Sequence, residues 1–569
     1  MLTPFIDAFL HICKERQMPD TRPGWLSRRR VLGAAGAAAA GGATLWTAGV
    51  AMADTTTDHH VDPEPECSVD PAHPAEQFRA SWIAGVVNID WPSTTGLDAE
   101  TQQAEYLRWL DDARDFRLNA VITQIRPTAD AFWPSPHEPW SRWLTGEQGG
   151  DPGYDPLEFA VKATHDAGMD FHAWFNPYRV SMPTSSGDVG GDPSQLHESH
   201  PARQNPDWVV AYPKTGAATR LYYNPGIPEV REHVIEAMLH AVENYDIDAV
   251  HFDDYFYPYP SGTEDFDDDE AYAQYGGDFA TKADWRRDNT DQLIQEFNRR
   301  VKQIKPWVRF GVSPFGVWRN IADDPEGSDT RAGAPTYDVL FADTRKWIRE
   351  GWIDYIAPQI YWAMSLEVAS YSVLAKWWSE VCEGTDCQLI LGEATYKVNV
   401  DEASPEWKND PRELLNHLTL CREYPNISGN AYFSANSVRD DQLNAMTLLR
   451  DEHYRTPALV PASPHLGGNQ PKPPKVSSLT WSDGRYVLEW RPHNRRKGID
   501  EVTRYAIYTV DGDPGDCGFG DGTHLVAVVP HDSDVPVQRF TWEAAESDDR
   551  VFAIKSLSRT WQASGESLA

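Results

Sequence analysis

The sequence predicts an α/β protein, a (β/α)8 TIM barrel followed by a small all-β sandwich. Eight short runs are rich in β-branched and aromatic residues, as strands buried on both faces are. Helical patterns fill the gaps between them. Polar and aromatic residues gather at the C-terminal ends of the runs, where a barrel carries its chemistry. A doubly wound open sheet is the alternative. No Gly-x-Gly-x-x-Gly follows the first run, so a dinucleotide-binding version has little support.

Residues 1–53 read as a twin-arginine signal peptide. Ser27-Arg28-Arg29-Arg30-Val31-Leu32 precedes a mildly apolar Ala/Gly run, and Ala51-Met52-Ala53 is a small-x-small cleavage site. The expected mature chain starts at Asp54, secreted or held in the cell envelope, with no stable membrane insertion. Residues 54–76 are an acidic, Pro-containing spacer.

The barrel is expected over 77–455. Its strands are predicted at 79–88, 119–126, 170–177, 248–255, 309–315, 355–362, 388–396 and 428–434. Between them, 101–117 opens with acidic residues and spaces Leu107, Leu110 and Ala113 as a helix does. Pro228 and Glu229 suit the first turn of a helix over 228–245. Residues 288–305 align Leu293, Ile294, Phe297, Val301 and Ile304 on one face. A Pro-rich linker follows at 456–476. Beyond it, 477–569 alternates like a β-sandwich, and the strands holding Trp490 and Tyr505 resemble a fibronectin type III module.

A net charge of −35 argues against nucleic acid as a partner, because phosphate binding needs a basic surface. Removal of the signal leaves five cysteines, Cys67, Cys382, Cys387, Cys421 and Cys517. Export permits disulfides, and the turn-like stretch between Cys382 and Cys387 makes these two the expected pair.

The strand ends supply the candidate site. The first runs into Asn88, Asp90 and Trp91. The second brings Gln124 and Arg126, with Asp130 after it. The third gives Asn176, Tyr178 and Arg179. The fourth reads Ala-Val-His-Phe-Asp-Asp-Tyr and delivers His251, Asp253, Asp254 and Tyr255. The fifth leads to Trp318 and Arg319, the sixth to Gln359, Tyr361 and Trp362, the seventh to Glu393 and Tyr396. These are the parts of a sugar site: aromatic faces, amides and arginines for hydroxyls, carboxylates for glycosidic cleavage. His172, His251, Asp253 and Asp254 could be gathered around a metal, but lack the His-x-x-x-His spacing of a zincin. No metal and no cofactor are expected. Strand alternation puts His251, Asp253 and Tyr255 on one face and Phe252 and Asp254 on the other. Asp253 is therefore expected to carry the chemistry and Asp254 to assist. Asp90, Asp130, Glu138, Asp343 and Glu393 are candidates for a second carboxylate.

"NIDWPS", "HAWFNPYRV", "IDAVHFDDYFYP", "GVSPFGVWRN", "IDYIAPQIYW" and "ISGNAYFSA", in that order across about 77–440, resemble the glycosyl-hydrolase-like ten family. The resemblance implies a (β/α)8 glycosidase of the bacterial envelope, acting on peptidoglycan glycan strands stripped of peptide. Family-eighteen chitinases read Asp-Gly-x-Asp-x-Asp-x-Glu-Tyr-Pro at the fourth strand. Here His251 replaces the middle Asp and Tyr255 stands at the acid Glu, so their mechanism does not transfer whole. In the resembled family, Gln more often stands at the position of Glu393. A glycosidase for another polysaccharide and a glycan-binding barrel without turnover are the competing functions.

Overall fold

The computed structural model describes residues 72–569, apart from 184–188, 215–218, 255, 401–404, 409, 494–495 and 515–517. The signal segment, most of the spacer, Tyr255, Cys67 and Cys517 lie outside the described residues.

Eight parallel strands close into a barrel. They are β1 (Phe78–Ile83), β2 (Ala120–Arg126), β3 (Asp170–Phe175), β4 (Ala249–Phe252), β5 (Arg309–Val312), β6 (Tyr355–Ile356), β7 (Gln388–Glu393) and β8 (Ile427–Tyr432). Each falls where the sequence places it, and β8 returns to pair with β1 through Phe78↔Gly429 and Ser81↔Tyr432. Several ladders stop earlier than the apolar runs do. After β1 the chain turns through Val87 and Asn88, both at positive φ. Pro314 and Pro358 lie just beyond β5 and β6, and a proline cannot donate to a ladder. The C-terminal rim is thus built of loops.

Surrounding helices start where local chemistry permits. α1 (Ala99–Asp115) is capped by Asp98, whose side chain accepts from the Thr101 amide at 2.8 Å. α2 (Pro156–Asp166) follows Asp155 in the same way. α3 (Pro228–Asn244) begins with Pro228, and α4 (Lys282–Ile304) buries Leu293, Ile294, Phe297 and Val301. On α1 the inward face is Tyr106, Trp109, Leu110 and Ala113, and Leu107 is 47% exposed, against the expectation from spacing.

The C-terminal strands form a sandwich. β9 (Lys475–Ser482), β10 (Arg485–Arg491) and β13 (Gln538–Glu543) make one sheet. β11 (Val502–Asp511), β12 (Leu525–Pro530), β14 (Arg550–Ser558) and β15 (Ser567–Leu568) make the other. Tyr486, Leu488 and Trp490 pack against Tyr505, Ile507, Phe552 and Ile554 between them.

The sandwich is not held at arm's length. Leu459 and Val460 are buried, Leu459 exchanges backbone hydrogen bonds with Ala75 and Gln77, and the Ser463 amide donates to Thr560. The Pro-rich linker expected at 456–476 is therefore packed over 458–463, while 464–473 stays largely accessible; its composition hid partners distant in sequence. Ala506, Tyr508, Leu557 and Trp561 join one apolar cluster with Phe78, Tyr355 and Ala249 of the barrel. Arg504 and Trp561 reach the N-terminal mouth, where both bond Asp170. The expected Cys382–Cys387 bridge is not formed in this structure either. Both are buried free thiols, with Cys387 hydrogen-bonded to Cys382.

Candidate active site

At the end of β4 the alternation expected from the sequence holds for His251 and Phe252, the last two residues of the strand. His251 points into the barrel, and Phe252 packs outward on Phe297 of α4 and Phe310 of β5, with ring centroids 4.9 and 4.8 Å apart. The strand ends there, and Asp253 and Asp254 follow, 4% and 3% exposed. Asn176, just past β3, donates from Nδ2 to Asp253 Oδ2. Its orientation is forced. Asn176 Oδ1 accepts from Gln124 Nε2 and, at 2.8 Å, from Arg179 Nη2, which leaves the amide protons for Asp253. Gln124 is held in turn, because its Oε1 accepts from the Gly85 and Val86 amides at 3.0 and 2.9 Å.

Asp254 accepts from the Tyr259 hydroxyl. Burial, and then the adjacent Asp253 charge, push its carboxyl up to about 7, against the Tyr259 hydrogen bond and the field of Arg179. The pair is thus asymmetric. An amide donor faces Asp253, while Asp254 holds its proton near neutrality. Two neighbouring carboxyls in unlike surroundings can take unlike roles.

A polar column lies beneath. The Tyr355 hydroxyl is hydrogen-bonded to His251 Nδ1 at 2.9 Å and His172 Nδ1 at 3.0 Å. His251 Nε2 meets Ser313 Oγ at 2.8 Å and the Trp82 indole N–H at 3.2 Å. Burial pushes the His251 imidazole down to about 3, so it stays neutral. Gly311 makes room, since a Cβ there would stand 2.1 Å from the Tyr355 ring. These residues make no metal cluster, and no group of three or more potential ligands occurs among the described residues.

Aromatic rings edge the mouth. Tyr259 lies 6.3 Å from Phe315, which lies 5.3 Å from Trp362. A second chain of rings runs from Tyr396 through Tyr361, 6.1 Å away, to Phe433 at 6.3 Å and on to Trp82 at 6.2 Å.

Other expected site residues serve the framework. Asn88 donates to the Pro92 and Trp143 carbonyls, and the buried Trp91 donates to Gln102. Asp90 is raised to about 6 by burial while it accepts from Ala84, Ser434 and Asn436. Asp130, also raised to about 6 by burial, accepts from Thr128 and Gln148. Arg126 forms a buried pair with Glu138, and Arg319 pairs with Asp324 and Asp338. Neither reaches Asp254. Tyr178 is fully buried. Trp318 donates to Asp343 and stacks on Trp377. Gln359 donates to the Ser313 carbonyl. Glu393 faces away from the barrel axis, accepting from Tyr371 at 2.6 Å and Asn430 at 2.8 Å and bonding His417 at 2.9 Å. Sequence reasoning passed over Tyr259, Phe315, Phe433 and Trp82. The alternation of "AYFS" and the closeness of Tyr259 to Asp254 in the chain were the available signals.

The family described as Glycosyl hydrolase-like 10 matches residues 77–409. Glycosyl hydrolase YngK of Bacillus subtilis (strain 168) is 48% identical over 437 residues, covering 77% of this chain and 83% of its own length. Glycosyl hydrolase DigH of Escherichia coli (strain K12) is 43% identical over 383 residues, covering 65% of this chain and 84% of its own. Among solved structures, the PgaB (BpsB) glycoside hydrolase domain from Bordetella bronchiseptica aligns with 67% of this chain and 99% of its own, at 14% identity and a TM-score of 0.42.

Proposed function

The chain belongs to the glycosyl hydrolase-like 10 family, and from that premise we propose that it is a secreted glycoside hydrolase cleaving peptide-free peptidoglycan strands. The observation that carries the reading is the asymmetric pair at the end of β4: Asp254 with a carboxyl raised to about 7 and Asp253 held by the Asn176 amide. Two carboxyl roles are needed for glycosidic cleavage. Asp90, Asp130, Glu138, Asp343 and Glu393 each accept hydrogen bonds from the barrel's own framework. We assign both roles to the pair, which its position at the end of β4 and the raised Asp254 carboxyl set apart.

Asp254 donates its proton to the glycosidic oxygen as the bond breaks. Asp253, charged, accepts from the N–H of the sugar's 2-acetamido group and turns its carbonyl oxygen toward the anomeric carbon. The acetamido oxygen then closes on that carbon, and water opens the intermediate with Asp254 acting as base. Substrate-assisted cleavage of this kind suits a glycan whose sugars all carry a 2-acetamido group. Trp362, Tyr361 and Phe433 offer apolar edges to the sugar rings. The twin-arginine motif at 27–32 supports delivery to the wall.

The test is the release of new reducing ends from purified, peptide-free glycan strands, with plant and storage polysaccharides in parallel. Release from the glycan strands alone is expected. Release only from another polysaccharide would replace the substrate. Saturable binding without new ends would make the protein a glycan-binding barrel.

A further inference from the structure

Three ties join β3 and β4 along their length. At the top, Asn176 donates to Asp253. Midway, His172 of β3 and His251 of β4 share the Tyr355 hydroxyl. At the base, the tie comes from the C-terminal sandwich. Arg504 Nη2 on β11 lies 2.9 Å from Asp170, the first residue of β3, and 3.5 Å from Asp248, just before β4. It also donates to the Met169 carbonyl at 3.0 Å.

The base contact is deliberate in chemical terms. Asp170 and Asp248 are buried carboxylates whose charges repel one another. Arg309 and Trp561 satisfy Asp170, and His165 satisfies Asp248, but Arg504 alone of these partners touches both. Its removal takes away the cation shared by the two carboxylates, leaving Arg309 on Asp170 and His165 on Asp248, and so loosens the tie between the strand starts. Paired strands are stiff, and β3 and β4 run in register from His172↔Ala249 to Phe175↔Phe252. A displacement at their base is carried toward the ends that hold Asn176 and Asp253. Catalytic geometry is intolerant of such shifts, since a misplacement of about 1 Å can lower a rate about 100-fold.

We infer that Arg504 is a positioning residue for the reaction: the C-terminal sandwich sets the Asn176–Asp253 contact from the opposite end of the barrel and is part of the catalytic unit rather than an appendage. This rests on the reading of Asp253 as the charged catalytic carboxylate. The experiment therefore has one arm that needs turnover and one that does not.

In the full-length chain, Arg504→Met is expected to lower kcat on peptide-free glycan strands by about 10- to 100-fold, with KM within twofold of the unaltered protein. Arg504→Lys, which restores the charge between Asp170 and Asp248, is expected to recover at least a third of the loss on a logarithmic scale. Without turnover, amide hydrogen exchange reads the same claim. Exchange should accelerate in Arg504→Met at the Asn176 and Ser313 amides, which donate to Arg126 and Phe252 at the tops of β2 and β4. The Phe433 amide, which donates to Glu393 across β7 and β8, should be unchanged. Should Arg504→Met fail to fold, Trp561→Phe is the milder variant: it keeps an aromatic ring beside Arg504 and removes one donor to Asp170, with a fall in kcat of about threefold or more expected. Unchanged kcat in a folded variant, or exchange that accelerates equally at Phe433, would overturn the inference. Accelerated exchange at β3 and β4 in a protein that cleaves no glycan would support the positioning and overturn the reading of Asp253 instead.

Discussion

Both mouths of the barrel bury carboxylates, and Asp248 and Asp354 at one behave oppositely to Asp254 at the other. At the N-terminal mouth Asp170 is itself raised, by burial and then by the charge of Asp248, while Asp248 and Asp354 are held low by their partners. Burial works against their charge, but His165 and Arg504 outweigh it at Asp248 and Lys302 and His465 at Asp354, which is held at about 2. At the C-terminal mouth Asp254 has Asp253 beside it and Arg179 as the nearby cation, and it is raised to about 7. Residue type and depth are alike at the two ends; partners decide whether a buried carboxylate stays charged for the fold or takes up protons for chemistry. The C-terminal mouth gives up stability to do so, as reactive sites do.

That contrast is most severely tested by exchanging charge for an amide at the top. Asp253→Asn is nearly isosteric, so the melting temperature should hold while turnover falls on the order of 10³ or more. A folded variant with near-normal turnover would place the catalytic carboxylate elsewhere. The matching experiment at the base is Asp354→Ala. It strands Lys302, His465 and the Phe310 amide, and a loss of about 3 kcal/mol is expected from denaturant unfolding. Asp354 is tied to β5 rather than to β3 or β4, so kcat per folded molecule should stay within about threefold.

A smaller effect sharpens the role of Asp254. Its pKa is higher in the folded chain than the ordinary unfolded value of about 3.9. Its contribution to stability is therefore complete below about pH 4 and is lost as pH rises through about 7. Asp254→Asn should raise the melting temperature relative to the unaltered protein at pH 8 and leave it alike at pH 4. Tyr259→Phe removes a hydrogen bond that favours the charged carboxylate, so the alkaline limb of kcat should move up by about one pH unit. A limb that moves down, or stays, would mean that the titrating acid is another group. The smallest effect is at Glu393. Glu393→Gln should change kcat/KM by less than about threefold, because that carboxylate touches neither sugar nor reacting atoms.

The barrel was legible because buried parallel strands leave continuous apolar runs, and the inward face of His251 was legible from alternation. The fate of the other strand ends was not. Glu393 follows Ile390 at an odd interval, and Ile390 lies in the cluster shared with Phe78 and Tyr355; alternation then sends Glu393 outward, but only once the inward set of β7 is known. Arg126 reads as a sugar-binding arginine until Glu138 is found folded back onto it. The sandwich was legible as strands, yet its attachment was not, because Arg504 and Trp561 meet Asp170 across more than 300 residues of chain. Composition reported prolines at 456–476 and said nothing of the apolar cluster that Leu459 and Val460 join.

The central claim is that Asp253 and Asp254 are the whole carboxyl machinery and that the substrate's own acetamido group completes it. The anomeric configuration of the first-formed reducing end, followed by NMR during the first minutes of cleavage of a peptide-free glycan strand, tests this directly. Two displacements at one carbon give net retention, so the new end should appear with the configuration of the bond that was cut. An inverted product would contradict the account, because single displacement by water needs a second carboxylate about 6.5–9.5 Å from the first, on the far side of the sugar from Asp253 and Asp254.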